Sequence, residues 1–89
     1  MNVQNTLDER GKRYGDFATH AKITQKIKQV MYEHSSWADL SYAQQEALEM
    51  IAHKIWRIIN GDPDYADSWH DIAGYATLVE RELTSGLEL

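Results

Sequence analysis

Asp67 and Asp71 stand four residues apart, a spacing that stacks two carboxylates one turn apart on the same face of a helix. Like charges at this spacing repel one another on an exposed helix. A divalent cation relieves the repulsion, and an oxygen-only donor set suits Mg²⁺ or Mn²⁺, which bind one or two carboxylates together with waters and substrate phosphates. Glu46 and Glu49, three apart, form a second acidic pair. The same spacing also fits acids that decorate the start of a helix, or aspartates paired with Lys54 or Arg57. The complementary chemistry sits near the N-terminus. Arg10-Gly11-Lys12-Arg13-Tyr14-Gly15-Asp16 sets three cations and a tyrosine around two glycines. It lies just before a helix start, where backbone N–H groups receive anions. Arg10, Arg13 and Tyr14, with Lys54 and Arg57 further on, are therefore candidate phosphate ligands. A mobile basic tail is the other reading of that segment.

Other chemistries find less support. His20, His34, His53 and His70 show no zinc-type spacing and read as structural or exposed residues. No hydroxyl lies in a nucleophile elbow, and no glycine-rich phosphate loop is present. A catalytic residue is not identifiable. The chain has no cysteine, which removes disulfides, thiolate zinc sites and a cysteine nucleophile.

These side chains are carried by 89 residues, enough for a single domain over 1–89. Nine Lys and Arg against 14 Asp and Glu leave a formal charge of −5, which argues against a dedicated nucleic-acid module. No apolar run approaches a membrane span, and MNVQNTLDERGKR lacks the apolar stretch of a signal peptide, so cytoplasm is the default location. Residues 87–89 read as a vector-derived tail.

The periodicity predicts an all-α domain of three main helices. The first spans about 16–34, with Phe17, Ala21, Ile23, Ile27, Val30 and Met31 as its apolar stripe. The second spans about 42–60, with Ser41 as N-cap, Leu48, Ile51, Ile55, Ile58 and Ile59 as its stripe, and Gly61 at its stop. The third runs from 64 or 65 to 83 and is expected to bury Trp69, Ile72, Ala73, Ala76, Val79 and Leu83. Gly74 inside it suggests close backbone packing or room for a ligand. The short Asn60-Gly61-Asp62-Pro63-Asp64 break makes the second and third helices an antiparallel hairpin, with Lys54 and Arg57 across from Asp67 and Asp71. Residues 1–15 are left as a basic N-terminal segment. Trp37, Trp56 and Tyr75 add apolar area that a three-helix unit does not cover, so a homodimer or higher oligomer is expected to complete the bundle.

The segments Glu9-Arg10-Gly11-Lys12-Arg13-Tyr14-Gly15-Asp16-Phe17, Lys54-Ile55-Trp56-Arg57-Ile58 and Asp67-Ser68-Trp69-His70-Asp71-Ile72-Ala73-Gly74-Tyr75-Ala76 together resemble a family of small phage and prophage proteins of uncharacterised function. The likeness covers residues 7 to about 83. That family is in turn distantly similar to the MazG-like all-α nucleoside triphosphate pyrophosphatases and their dUTPase relatives. The resemblance implies paired helices in a dimeric or tetrameric bundle, Mg²⁺ held by acidic side chains, cleavage between the α- and β-phosphates of a nucleotide, and the cytoplasm of a bacterial host. It matches Asp67 and Asp71 to the acidic pair on the later helix. Glu46 and Glu49 are the candidates for the earlier acidic cluster, joining Asp67 and Asp71 from another chain, and Glu46-Ala47-Leu48-Glu49 is thinner than the Glu-Glu-x-x-Glu of those enzymes. The expectation is a protein that binds or hydrolyses a nucleotide phosphate with a divalent metal. The alternative is a non-catalytic phage accessory protein working through protein contacts.

Overall fold

The computed structural model describes residues 2–85 and is all-helical across them; the expected vector tail at 87–89 lies outside the described residues. Helix α1 spans Val3–Tyr14, α2 spans Phe17–Glu33, a 3₁₀ turn spans Ser35–Asp39, α3 spans Tyr42–Asn60 and α4 spans Ala66–Thr84. The three expected helices are present with ends shifted by no more than about two residues.

Their caps explain the boundaries. The Asp16 carboxylate accepts from the Thr19 backbone N–H at 2.9 Å and opens α2, and this bond holds its carboxyl below the usual carboxylate range. Ser41 and Gln44 form a reciprocal capping box at the start of α3. Asp62 accepts from the Asp64 N–H at 2.9 Å and shapes the turn into α4, where Trp69 Nε1 donates to the Pro63 carbonyl at 2.8 Å.

One helix was not expected. The basic N-terminal segment is α1, capped by Asn2, whose side chain accepts from the Asn5 N–H. Its signal is weak because it buries no residue and carries Gly11 in its interior. Docking of its C-terminal end holds it in place. Gly15 adopts φ 79°, ψ −167°, a region essentially reserved for glycine. A Cβ there would overlap the Asn60 carbonyl, and one on Gly61 would overlap the Arg13 carbonyl. Two glycine corners thus meet backbone to backbone, joined by Asp62 N–H donating to Arg13 O at 2.7 Å and by Asn60 Nδ2 donating to Asp16 O at 3.0 Å.

Helix α3 is the central element, with α2 on one flank and α4 on the other. The close contacts are made by small side chains: Ala47, Ala52, Thr24 and Ser68 are buried, with Ile58 the large apolar residue among them. The expected apolar stripes are only partly covered. Phe17 (80% exposed), Val30, Leu48, Ile55, Ile59, Trp69 and Leu83 stay open in the chain. The reason is geometric. The row of α4 that meets α3 is Ser68, Ile72, Tyr75 and Val79, spaced four, three and four, and this turns Trp69, Ala73, Ala76 and Leu83 onto a shoulder. Leu48, Ile55 and Ile59 fall between the two flanks of α3, on the same side as that shoulder. Gly74 has open space around it within the chain, so of its two readings, close backbone packing and room for a ligand, the first is not met by this chain's own elements.

Candidate anion-binding site

Helix α1 lies against α3 on the face that carries His53 and Arg57, opposite Leu48 and Ile55 on the helical repeat. The end of α1 and the last turns of α3 bring Arg10, Arg13, Tyr14 and Arg57 around a recess of about 280 Å³. The Arg57 guanidinium lies 4.5 Å above the centre of the Tyr14 ring, a cation–π contact that fixes it without a counter-charge. Arg13 lies 5.0 Å over the Tyr65 ring, donates to the Tyr65 hydroxyl at 3.3 Å, and pairs with Glu9 at 3.0 Å. Tyr65 in turn donates to Asp67 Oδ2 at 3.0 Å, and this bond pushes its phenol above the ordinary tyrosine value. Among the described residues Arg57 enters no ion pair. Arg57, stacked on its ring and outside those ion pairs, keeps its N–H edge available, the arrangement that suits a bidentate oxyanion, whereas Arg13 is engaged by Tyr65 and by Glu9, which also lines the recess.

A larger cleft of about 710 Å³ opens beside the recess and shares Arg10, Tyr14 and Arg57 with it. Leu7 and Phe17 supply apolar wall, and His20 and His53 supply imidazole edges. This volume falls within the range of small-molecule sites. His20 Nε2 and His53 Nδ1 are 3.1 Å apart, with the rings stacked at 20°. Burial first, then the neighbouring imidazole and Arg57, hold His20 below the ordinary histidine value. Burial, Lys28 and Arg57 do the same for His53.

The two acidic pairs lie apart within one chain, as the antiparallel hairpin implies, so Glu46 or Glu49 would join Asp67 and Asp71 only from a second copy. Lys54 Nζ lies 2.9 Å from Asp71 Oδ2, and that bond and charge hold the Asp71 carboxyl below the usual range. Lys54 is therefore engaged with the aspartate and stands apart from the arginines with which it was grouped. Glu49 faces α2, where Lys28 lies 3.4 Å away and the Tyr32 hydroxyl donates at 2.8 Å. Glu46 is eight residues before Lys54 on α3, about 12 Å along the axis at ~1.5 Å per residue. Among the described residues no group of three or more His, Asp or Glu is gathered as a metal site. Asp67, Asp71, Glu46 and Glu49 do not converge within one chain, and each of Asp67, Asp71 and Glu49 already has a protein partner.

The arginine-tyrosine segment, the Asn-Gly-Asp turn and the Lys-x-x-Arg helix thus form one structural unit, and they lie inside a matched family model covering residues 2–83. The chain belongs to the DUF6378 family, a domain of unknown function. No curated protein and no solved structure matches it. Within this DUF6378 chain, four of the five expected phosphate ligands are brought together. The His20–His53 pair and Tyr65 were missed. Zinc-type spacing is sought within one helix, whereas these imidazoles come from two helices and meet only through packing. Tyr65 had one hint, its place between the Asp62-Pro63-Asp64 turn and Asp67.

Proposed function

We propose that this chain binds the phosphate groups of a nucleotide at the Arg10–Arg13–Arg57 corner, with the remainder of the ligand in the adjoining cleft. The observation that carries the reading is the convergence of three guanidiniums from two helices on one recess in a chain of net charge −5. Scattered surface cations follow no such pattern. The apolar wall of Leu7 and Phe17 suits a ring system beside the phosphates.

The metal-dependent hydrolysis implied by the MazG-like resemblance draws less support from the geometry. A Mg²⁺ or Mn²⁺ ion at Asp67 and Asp71 would share those carboxylates with the Lys54 ammonium and the Tyr65 hydroxyl, each of which engages one oxygen. Among the described residues of one chain no third acid joins Asp67 and Asp71, so the reading is one of binding, with no hydrolytic step assigned. The second reading, a non-catalytic phage accessory protein, is favoured by one observation: the open apolar shoulder formed by Leu48, Ile55, Ile59, Trp69 and Leu83. A second copy of this chain is the proposed occupant, since its own Leu48, Ile55, Ile59, Trp69 and Leu83 offer the same apolar chemistry to an isologous contact.

Calorimetry with a panel of nucleoside mono-, di- and triphosphates tests the binding reading. Arg57→Ala and Arg10→Ala are each expected to weaken binding by roughly tenfold or more, the value of a lost charge-assisted hydrogen bond. Arg57→Lys keeps the charge and separates loss of phosphate contact from loss of α1 docking. Failure of every nucleotide to bind at low salt overturns the reading. Thermal shift with Mg²⁺ and Mn²⁺ alone, in wild type and Asp71→Asn, tests the metal.

A further inference from the structure

His20 is 7% exposed, and its Nδ1 is buried with no hydrogen-bond partner. At 3.1 Å from His53, its Nε2 shares a single hydrogen with the facing nitrogen: one ring donates and the other accepts. An unpartnered buried nitrogen is costly, and an apolar side chain would join α2 to α3 without that cost. The pair therefore calls for a reason beyond packing. One is offered by the cleft it lines together with Arg10, Tyr14 and Arg57.

The charges around the pair decide how it holds protons. Arg57, Lys54 and Glu49 face it from α3, Lys28 from α2, Arg10 from α1 across the cleft, and Asp16 from the α1–α2 corner. Burial first, and then the cations that dominate that set, make a proton unwelcome while the cleft holds no anion. A dianion between Arg10 and Arg57 reverses the local field. The extra hydrogen then goes to the outer nitrogen of one ring and the shared hydrogen stays in place, so the pair accepts one proton and resists a second.

We propose that His20 and His53 are the proton-accepting part of the anion site, so that a dianionic phosphate- or sulfate-type group binds in the cleft with uptake of one proton from solvent. The inference rests on the reading of the arginine corner as a phosphate site. Because binding takes up a proton, affinity rises as pH falls through the histidine range, by at most tenfold per pH unit.

Inorganic sulfate is the direct probe, because it remains a dianion across the histidine range whereas phosphate itself titrates there. Calorimetry of sulfate binding near pH ~6.5, in buffers of different ionisation heat, is expected to show proton uptake. The uptake should disappear in the double variant His20→Gln/His53→Gln, because either imidazole left alone can still take the proton. Imidazole nitrogen NMR on the unmodified chain needs no variant and should show the pair's titration move upward when sulfate is added. Sulfate binding without proton uptake, uptake that survives replacement of both histidines, or a titration indifferent to sulfate overturns the inference. Nucleotide and sulfate binding without uptake defeats this inference alone. Proton-linked sulfate binding without nucleotide binding defeats the nucleotide reading alone. Binding of neither anion defeats both.

Discussion

At the residue scale, a few contacts carry disproportionate weight. Gly15 combines a backbone conformation reserved for glycine with no room for a Cβ against Asn60. Gly15→Ala is expected to destabilise the chain by at least about 1–3 kcal/mol. Chemical denaturation measures this, and the loss should appear together with weaker nucleotide binding, because the same corner aims Arg10, Arg13 and Tyr14. Asp71 offers a pH test. Its carboxyl is held below the ordinary value by Lys54, so its contribution is present above the unfolded value of about 3.9 and is lost as pH falls through the lower folded value. Asp71→Asn should therefore lower Tm at neutral pH, with the gap to wild type closing on acidification below about pH 3.9. Persistence of the gap in acid would show that the substitution acts through something other than the ion pair. The histidine pair works at a higher pH and with the opposite charge. Imidazoles held below their ordinary value leave the unfolded chain binding more protons, so without an anion the fold should lose stability as pH falls below about 6.5.

At the scale of elements, caps and helix periodicity are local properties, and they were legible. Ser41, Asp16 and Gly61 each stand at the boundary the sequence implies. Ser41→Ala should cost about 1 kcal/mol in denaturant unfolding, because it removes the capping box of the central helix. Helix α1 was not legible, because its stability comes from docking of Arg13, Tyr14 and Gly15 onto the turn after α3. Composition alone makes it a charged, glycine-interrupted segment. Deletion of residues 1–15 should leave α3 and α4 helical by circular dichroism and remove most of the anion affinity. Gly74 supplies a contrasting case. In the isolated chain it faces open space, so Gly74→Ala should raise helix stability by up to about 1 kcal/mol. If a second copy packs closely there, the same change weakens association instead.

At the scale of the whole molecule, the fold is extended and thinly cored. Its radius of gyration is 15.6 Å, against about 12 Å for a compact domain of this length. A three-layered core is absent because α2 and α4 both pack on α3, one on each flank. The apolar shoulder of Ile55, Ile59, Trp69 and Leu83 is more continuous than single exposed residues on an ordinary surface. Light scattering at tens of micromolar is expected to show a dimer or larger assembly. Ile59→Glu should shift it toward monomer, since a carboxylate in an apolar interface loses its hydration. A wild-type monomer at that concentration would count against a second copy as the occupant. In either case the shoulder and the anion corner lie on opposite sides of the layer, so assembly through one leaves the other accessible.

The amino-acid sequence by itself determined the helical class, the span of the three long helices, the α3–α4 hairpin and the types of residue able to grip phosphate. All of these follow from interactions between near neighbours: caps, turns and the helical repeat. Lys54 opposite Asp71 was also within its reach, because a short antiparallel loop sets which turns face each other. Only the tertiary structure decided which faces are covered and which distant groups meet. The choice of Ser68, Ile72, Tyr75 and Val79 as the row against α3 depends on helix rotation, a matter of small side chains allowing close approach rather than of total apolar content. The joining of Arg57 to Tyr14, of Gly15 to Asn60 and of His20 to His53 spans 33 to 45 residues of chain. No local pattern encodes such pairs, since each exists only when α1 and α2 have settled against α3.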